Sequence, residues 1–467
     1  GCPDIAQQQE QDHDHQQRAF QQILLNRLQG LVDQPGAVIH RRCGYPFRQA
    51  RLDFLQLLAH RAGDGTAVLT HQHEHRAHHH FTTILGSRPS AQLQPFFHTG
   101  ANGVDARARL FGRGADLVRR AGQAAAAGGV TTMVTRPDTD PAIDNPEVLE
   151  FIRRRANEVT PVNVCPMAAL TKGRQGREMS EIGFLLDAGA VAFTDGDNVV
   201  TDTKVLSRAM TYARSLGALV IGHPQDPGLS KGAAATSGKF ASLRGLPGVS
   251  PMAERMGLDR DIAIVEMTGA KYHADQITTA RALPALERAK ANGFDVTAGT
   301  SMHHMTLNEL DVSDYRTFFK VKPPLRAEED RQAVIDAIRS GLIDTISSMH
   351  TPQDEESKRL PFEEAASGAV GLETMLPVLL RLYHSGDLEL PTLFRALSLN
   401  PAKRLGLDCG RLEKNAPADL ILFDPDKPLI LDRFKLKSKS KNTPFDGARL
   451  QGRILRTLVS GETVYKL

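Results

Sequence analysis

Alternation of short apolar strands with amphipathic helices, from about residue 121 onward, restricts the fold of this 467-residue chain more than any other feature. Helices are expected at residues 202–215, 280–292 and 327–340. The expected strands are residues 130–135, 162–165, 190–195, 218–223, 271–277, 295–301 and 344–350. Strand–helix units with strands buried on both faces are typical of a mostly parallel sheet. We therefore expect an α/β fold with a closed (β/α)₈ TIM-like barrel. A doubly wound open sheet is the alternative.

The two ends of the chain differ from this middle part. Residues 1–112 are rich in glutamine and arginine and hold eleven of the seventeen histidines, with weak apolar periodicity. We expect this segment to be poorly ordered or to come from a wrong start or shifted reading frame. The barrel is expected at residues 113–407. Short strands and turns over residues 408–467 predict a small flanking β-domain, with strands at 410–412, 418–423 and 457–465.

Composition excludes several classes of protein. The formal net charge of +3 is small for this length and indicates no polyanionic partner such as a nucleic acid. The four cysteines, Cys2, Cys43, Cys165 and Cys409, form no Cys-x-x-Cys pair and predict neither a zinc knuckle nor a disulfide framework. No apolar run reaches the roughly 20 residues that span a bilayer, and no basic-then-apolar leader is visible. We therefore expect a cytoplasmic protein.

Short motifs are spread along the chain between residues 124 and 445. They are residues 124–134 (AAAAGGVTTMV), 137–141 (PDTDP), 189–195 (GAVAFTD), 319–326 (FKVKPPLR), 371–374 (GLET), 400–402 (NPA) and 438–445 (SKSKNTPF). Each resembles a motif of the dihydroorotase family, of the bacterial multifunctional-complex type, in the amidohydrolase superfamily. The last is the most specific. The resemblance covers about three quarters of the chain and implies an amidohydrolase barrel with a flanking β-sandwich.

This resemblance also implies a chemistry. Dihydroorotases interconvert N-carbamoyl-L-aspartate and dihydroorotate, a cyclic amide of de novo pyrimidine biosynthesis. The family uses two zinc ions, which polarise the carbonyl and lower the pKa of a bridging water. An aspartate at the end of a late strand then moves the proton. The ligands stand at the carboxyl ends of the barrel strands, as is usual for barrel enzymes.

Most of the family's ligand positions hold other residue types here. Asp195 and His223 match two zinc ligands and are predicted to be the remnant of the metal site. Gln276 replaces a histidine ligand, and Met349 replaces the catalytic aspartate. The first-strand motif Asp-x-His-x-His-x-Arg finds no match in the residues before Ala124, so we expect a barrel that is incomplete at its first strand. No residue is predicted to be catalytic, and low zinc occupancy is expected.

Positions that contact substrate in the family are altered as well. Asp138 and Lys322 replace asparagines, and Gln353 replaces a histidine. Two nearby histidines, His273 and His350, lie three residues before Gln276 and one after Met349. Such odd offsets point to opposite faces of a strand, so neither imidazole is expected to replace a ligand. For His350 we expect a hydrogen-bonded side chain beside the strand end.

A histidine-rich tract at residues 71–80 offers a different source of ligands. It follows a short apolar run at residues 67–69 and contains a His-x-His pair, as a displaced first strand would. Its spacing argues against that interpretation, because Arg76 directly follows His75 and the connection to Ala124 is about twice too long for the family. The alternative is a tract that binds divalent metal adventitiously.

Two functions from different classes remain. The first is a catalytically silent homologue that assembles with aspartate carbamoyltransferase, as some family members without zinc ligands do, and that is itself expected to form an oligomer. The second is an active zinc-dependent dihydroorotase or a related cyclic amidase. Gln276 and Met349 favour the first function, since neither can perform the family's role at its position.

Overall fold

The computed structural model describes residues 114–467 of the chain. By its contacts the chain divides into residues 1–94 and residues 95–467, and the described residues all belong to the second unit. The predictions made for residues 1–112 and for the tract at residues 71–80 lie outside the described residues. Within residues 114–467, no helix combines the length and the hydropathy that crossing a bilayer requires.

Helices and strands alternate along the described residues, as the sequence predicts. The helices are α1 (Gly114–Ala127), α2 (Pro146–Val159), α3 (Ile182–Asp187), α4 (Thr203–Ser215), α5 (Pro227–Ser230), α6 (Lys239–Arg244), α7 (Met252–Thr268), α8 (Leu283–Ala291), α9 (Met302–Thr306), α10 (Glu328–Ser340), α11 (Glu355–Arg359), α12 (Met375–His384), α13 (Leu390–Phe394) and α14 (Asn400–Leu405). The strands are β1 (Thr132–Thr135), β2 (Asn163–Pro166), β3 (Leu219–Gly222), β4 (Ala235–Thr236), β5 (Gly248–Val249), β6 (Lys271–Ala274), β7 (Val296–Ser301), β8 (Thr345–Ser347), β9 (Leu420–Ile430), β10 (Arg449–Val459) and β11 (Glu462–Lys466).

Local sequence signals set several of the helix ends. The Asn145 side chain accepts a hydrogen bond of 3.0 Å from the backbone N–H of Val148 and so caps α2. Pro146 then takes the first helical position, where its missing N–H costs nothing. Helix α7 ends at Gly269, whose φ of 66° is the left-handed conformation that glycine adopts readily.

Parallel strands form the barrel. β3, β6, β7 and β8 pair in that order, and β1 pairs with β2. Phe193 connects the two groups through isolated bridges to Ala168, just beyond β2, and to Val220 of β3. The described residues therefore supply seven barrel positions in the order β1, β2, the Phe193 segment, β3, β6, β7 and β8. The predicted TIM-like barrel is confirmed. Residues 190–195, however, form these bridges instead of the expected full strand.

Side chains alternate between the barrel interior and the surrounding helices. Val134 of β1 packs inside with Met167, Ala192 and Leu219. Its neighbour Met133 points outward and packs on the alanines of α1. This alternation turns Arg136, two residues after Val134, toward the mouth of the barrel.

The last part of the chain forms a three-stranded antiparallel sheet in the order β11, β10, β9. Ile454 of β10 packs on Leu380 of α12, and the Thr457 hydroxyl donates a hydrogen bond of 2.7 Å to the carbonyl of Ala126 in α1. The strand expected at residues 410–412 is absent from the structure, so that prediction was wrong. The single strand expected at 457–465 is a hairpin, because Ser460 and Gly461 turn the chain between β10 and β11 with positive φ angles.

Candidate functional site

Polar side chains meet at the carboxyl ends of the barrel strands, where barrel enzymes carry their sites. The residues at or just beyond these ends are Arg136 (β1), Asp195 and Asp197 (Phe193 segment), His223 (β3), Asp275 and Gln276 (β6) and Met349 (β8). The Arg136 guanidinium lies 3.7 Å from the carboxylate of Asp275, which links the ends of β1 and β6.

Asp195 has both carboxylate oxygens engaged by one residue. The backbone N–H of Thr171 donates to Oδ1 at 2.9 Å, and the Thr171 hydroxyl donates to Oδ2. Burial raises the pKa of Asp195, while these two hydrogen bonds lower it in part. The carboxylate of Asp195, the predicted remnant ligand, therefore accepts hydrogen bonds from within the protein at both oxygens.

Asp197 forms the strongest charge cluster of the site. Lys322 Nζ lies 3.0 Å from one carboxylate oxygen, and Arg174 Nη2 lies 3.3 Å from the other. Burial alone would raise the pKa of Asp197, but the charges of Lys322 and Arg136 hold it well below its usual range. The lysine that replaces a family asparagine thus places a fixed positive charge inside the site.

His223 is the other predicted remnant ligand, and it is buried. Its Nδ1 has no hydrogen-bond partner among the described residues. Burial and the positive charge of Lys322 together lower the pKa of His223 to about 4, against the opposing charges of Asp197 and Asp275. The imidazole is therefore neutral at pH 7, as a metal ligand must be, but a cation stands next to it.

Gln276 adopts a backbone conformation that is unusual for its residue type. Its φ of 62° lies in the left-handed region, which breaks the strand alternation after β6 and brings Gln276 to the mouth together with Asp275. The side-chain amide donates to Asp275 Oδ1 and to the Ser347 hydroxyl, both at 3.0 Å. Its Oε1 is buried without a partner among the described residues.

Met349 also has a left-handed backbone, with φ 42°, and lines the barrel cavity. Its thioether cannot act as a base. The next residue, His350, accepts hydrogen bonds at Nδ1 from the backbone N–H groups of Gly371 (3.1 Å) and Leu372 (3.3 Å). His350 therefore has the structural role that the sequence suggested.

His273 and the residues at the family's substrate-contacting positions differ in where they lie. His273 lines the interior one layer below Asp275, with Nδ1 2.8 Å from the Thr297 hydroxyl. Asp138 is buried. Gln353 follows β8. Its side chain donates a hydrogen bond of 2.8 Å to the carbonyl of Ser367, and its backbone N–H donates to Asn442 Oδ1 at 3.3 Å. The Gln353 amide is thus bound to the protein itself.

The described residues do not fit a zinc centre. Zinc sites in proteins use three or four protein ligands, and residues 114–467 contain no group of three or more His, Cys, Asp or Glu side chains able to hold a metal ion. Of the two remnant positions, Asp195 accepts hydrogen bonds from Thr171 at both carboxylate oxygens, and the positive charge of Lys322 acts on His223. No catalytic step through zinc is derived from these residues.

The motifs that this chain retains have structural contacts that the sequence did not reveal. Arg326 is buried and forms a 3.2 Å ion pair with buried Glu254 of α7. Asn442 donates hydrogen bonds of 3.1 Å to the carbonyls of Thr351 and Gly368. Glu373 accepts from the backbone N–H groups of residues 437 and 438 at 2.7 and 2.8 Å. The Asn442 and Glu373 contacts tie the barrel to the C-terminal segment, and the Arg326–Glu254 pair lies within the barrel.

Solved structures with a similar fold define the class of protein. An L-hydantoinase from Arthrobacter aurescens superimposes with a TM-score of 0.68 at 24% identity, covering 78% of this chain and 85% of that one. A dihydropyrimidinase from Brevibacillus agri NCHU1002 gives a TM-score of 0.64 at 20% identity, covering 75% and 79%. The fold is therefore the TIM-type barrel of these amidohydrolases.

Sequence relatives narrow this class to one family. The profile of a family described as Dihydro-orotase-like matches residues 106–282. A dihydroorotase of Syntrophus aciditrophicus (strain SB) is 39% identical over 351 residues, 75% of this chain and 82% of that protein. A dihydroorotase of Wolbachia sp. subsp. Drosophila simulans (strain wRi) is 40% identical over 344 residues, 73% and 78% of the two chains. The chain belongs to the dihydroorotase family.

Proposed function

We propose that this chain is a dihydroorotase-family protein of de novo pyrimidine biosynthesis whose own hydrolytic site is silent and which acts as a partner of aspartate carbamoyltransferase. The observation that carries the proposal is that the carboxylates of the site are bound by side chains and backbone groups of the protein itself. Lys322 is paired with Asp197 at the mouth, and both carboxylate oxygens of Asp195 accept hydrogen bonds from Thr171. Among residues 114–467 these contacts engage the carboxylates, and no group of three metal-ligating side chains is present that could hold a zinc ion to activate water.

The proton-transfer step also lacks its residue. Hydrolysis of an unstrained amide needs an activated water and a group that moves its proton to the leaving nitrogen. Met349 stands at the family's aspartate position and can do neither. The two buried histidines nearest the mouth are His223 and His273, and burial lowers the pKa of each imidazole to about 4. His273 lies one layer deeper in the barrel, next to the Thr297 hydroxyl.

The retained features support a scaffold role. Arg326, Glu373 and Asn442 lie in motifs that the family shares. Arg326 makes a buried ion pair within the barrel, and Glu373 and Asn442 form hydrogen bonds that join the barrel to the C-terminal segment. The side chains expected to bind metal or move a proton have been replaced, whereas the side chains that stabilise the fold are retained. A protein that serves as a binding partner needs only the second set.

The alternative is an active zinc-dependent dihydroorotase or related cyclic amidase. It is favoured by the names of the relatives, which at 39–40% identity are dihydroorotases. The two functions are separated by assaying the full chain for dihydroorotate hydrolysis with and without added zinc. We expect no activity above the zinc-only background in either condition. Turnover that depends on added zinc would establish the alternative.

The partner role needs its own experiment. We expect the chain to co-purify with aspartate carbamoyltransferase from its own host, in the cytoplasm and as an oligomer. Deleting the chain should weaken assembly or activity of the carbamoyltransferase while dihydroorotase activity of the cell persists. A deletion strain with an unchanged carbamoyltransferase would contradict this role. Complementation with a Lys322→Asn variant, which alters the silent site, should restore assembly as well as the wild-type chain does.

A further inference from the structure

The sequence motif at residues 438–445 lines a second cavity, which the acidic residues of the mouth do not line. This cavity has a volume of about 320 Å³ and lies where α1, the loop after β8 and the segment between β9 and β10 meet. All four residues of the stretch 438–441, Ser-Lys-Ser-Lys, line it. Cavities of this size can hold a compact small molecule.

The charged side chains around this cavity are mostly basic. The basic lining residues are Arg120, Lys358, Arg433, Lys439 and Lys441, and the acidic ones are Asp354 and Glu355. Both acids are engaged elsewhere. Asp354 Oδ1 accepts a hydrogen bond of 2.7 Å from the backbone N–H of Ser357, and Glu355 pairs at 2.6 Å with an arginine of α11. The cavity therefore has a positive potential, which favours an anionic ligand.

The stretch 438–441 offers polar groups that the fold does not use. The side chains of Ser438, Lys439 and Ser440 make no hydrogen bond or ion pair within residues 114–467. Lys441 Nζ donates to the carbonyls of Leu436 at 2.6 Å and Ser438 at 2.7 Å, which leaves one of its three N–H groups without a partner there. Two hydroxyls and two ammonium groups are thus available to donate hydrogen bonds to a ligand.

Arg433 is positioned at this cavity by two aromatic rings that also line it. Its guanidinium lies 5.2 Å from the ring centre of Phe318 and 4.7 Å from that of Phe434, and these contacts limit its movement. Nε forms an ion pair of 3.4 Å with Asp446, while the two Nη groups have no hydrogen-bond partner within residues 114–467. A guanidinium held in this way is pre-organised to bind an anion.

Lys358 is a buried cation without a carboxylate partner. Its Nζ donates to three backbone carbonyls at 2.6 to 3.4 Å, and no carboxylate pairs with it within residues 114–467. Burial and the positive charge of Lys320 together lower the pKa of Lys358 to about 7. Buried charges in proteins are normally paired, and an anion in the cavity would supply the missing negative charge.

We propose that this cavity binds a phosphate group, as the free ion or as part of a small phosphorylated molecule, with Arg120, Lys439 and the Ser440 hydroxyl as direct contacts. A phosphate monoester carries about two negative charges and three terminal oxygens that accept hydrogen bonds. Several cations and hydroxyls match these oxygens better than the two oxygens of a carboxylate. The site is separate from the barrel mouth and requires neither zinc nor the loss of hydrolytic activity.

Calorimetric titration of the full chain tests the site, with inorganic phosphate and phenyl phosphate as probes at pH 7. We expect saturable binding to a single site. Tighter binding of phenyl phosphate would assign the site to a phosphorylated molecule, and equal binding would assign it to the free ion; both support the proposal. Succinate bound as tightly as phosphate would overturn it. So would the absence of binding by either phosphate, as when a segment of the chain itself occupies the cavity.

Two double variants separate this site from general surface charge. Arg120→Gln with Lys439→Gln removes two cations from the cavity and should weaken phosphate binding by about tenfold or more. Arg119→Gln with Lys437→Gln is the matched control. It removes the same charge from neighbouring residues that do not line the cavity, and Arg119 pairs with the same Asp116 carboxylate as Arg120 does. Equal weakening by the two double variants would contradict a specific site.

A measurement on the wild-type chain does not depend on any variant. The lysines are acetylated under limiting reagent, with and without a saturating concentration of the phosphate that binds more tightly, and the products are measured by mass spectrometry. Bound phosphate should slow the reaction of Lys439 severalfold, because a neighbouring negative charge raises the pKa of an amine. Lys437, outside the cavity, should react at an unchanged rate. Equal protection of both lysines, or of neither, would overturn the proposal. Neither readout involves zinc or activity, so the outcome is independent of the silent-enzyme function.

Discussion

The side-chain amide of Gln276 donates a hydrogen bond of 3.0 Å to the hydroxyl of Ser347, which joins the end of β6 to the end of β8 across β7. The resemblance to the family predicts a histidine ligand at this position. Gln276 instead forms an intramolecular hydrogen bond across the mouth. The left-handed backbone of Gln276 and of Met349 is nevertheless of the kind that His, Asp and Asn adopt more readily than Gln or Met.

Strain at Met349 leads to a first prediction. A Met349→Asn variant should unfold at the same or higher denaturant concentration, because asparagine tolerates a left-handed backbone. Met349→Val should lose about 1–3 kcal/mol, because a β-branched residue does not tolerate it. Both are measured by urea unfolding. Equal stability of the two variants would contradict the strained backbone.

The Lys322–Asp197 pair gives a second prediction. Lys322→Met should destabilise the fold by about 1–2 kcal/mol, since Lys322 is half exposed and Arg174 still faces the buried carboxylate. The control is Lys439→Met, an exposed lysine, which should change stability by no more than about 0.5 kcal/mol. Because the pKa of Asp197 is lowered in the folded protein, its contribution is present above the unfolded pKa and is lost as pH falls through the folded value. In Lys322→Met the folded pKa of Asp197 should rise toward its unfolded value, so this loss should be smaller and should be complete at a higher pH.

A third prediction concerns the retained architecture. Arg326→Met leaves the Glu254 carboxylate buried without its cation, so we expect a loss of about 3–5 kcal/mol. The double variant Arg326→Met with Glu254→Gln should recover part of this loss, since no buried charge remains. Arg359→Met, at an exposed helix pair, serves as the control. An Arg326→Met variant as stable as the control would remove the structural explanation for this motif.

Buried histidines lead to a fourth prediction, on acid stability. Burial lowers the pKa of His223, His273 and His303 to about 4, and of His304 and His350 to about 3. The unfolded chain binds these protons near pH 6.5 and the folded chain does not. Stability should therefore be full above about pH 6.5 and fall as pH drops toward 4, by up to about 1.4 kcal/mol per pH unit for each histidine.

His303 provides the matched variant for that experiment. Both of its ring nitrogens are buried without a partner among residues 114–467, and its ring stacks on Phe445 at 6.1 Å. His303→Phe should keep the stacking, unfold no more easily at pH 7 and show a slope between pH 6 and 4.5 that is smaller by one proton. An unchanged slope would mean that His303 does not resist protonation in the fold.

The barrel could be predicted from the sequence because buried parallel strands and the helices between them produce a regular alternation of apolar segments and amphipathic segments. The bounds of α4, Thr203–Ser215, differ from the prediction by one residue, since Asp202 caps that helix. The β10–β11 hairpin was missed because its turn at Ser460 and Gly461 is only two residues long and was included within one predicted strand. The left-handed backbone at Gln276 could not be predicted from periodicity, because it accompanies a contact across the barrel with Ser347.

The proposed loss of the metal site is tested most directly by the zinc content of the purified protein. The sample is the full chain without a purification tag, with the six histidines of residues 71–80 changed to glutamine so that this tract adds no metal. We predict well under one zinc per chain. Gln276→His with Met349→Asp, which places metal-binding residues on backbones that suit them, should raise this to one zinc with little activity. Two tightly held zinc ions in the chain with Gln276 and Met349 intact would contradict the account and restore the active-enzyme function.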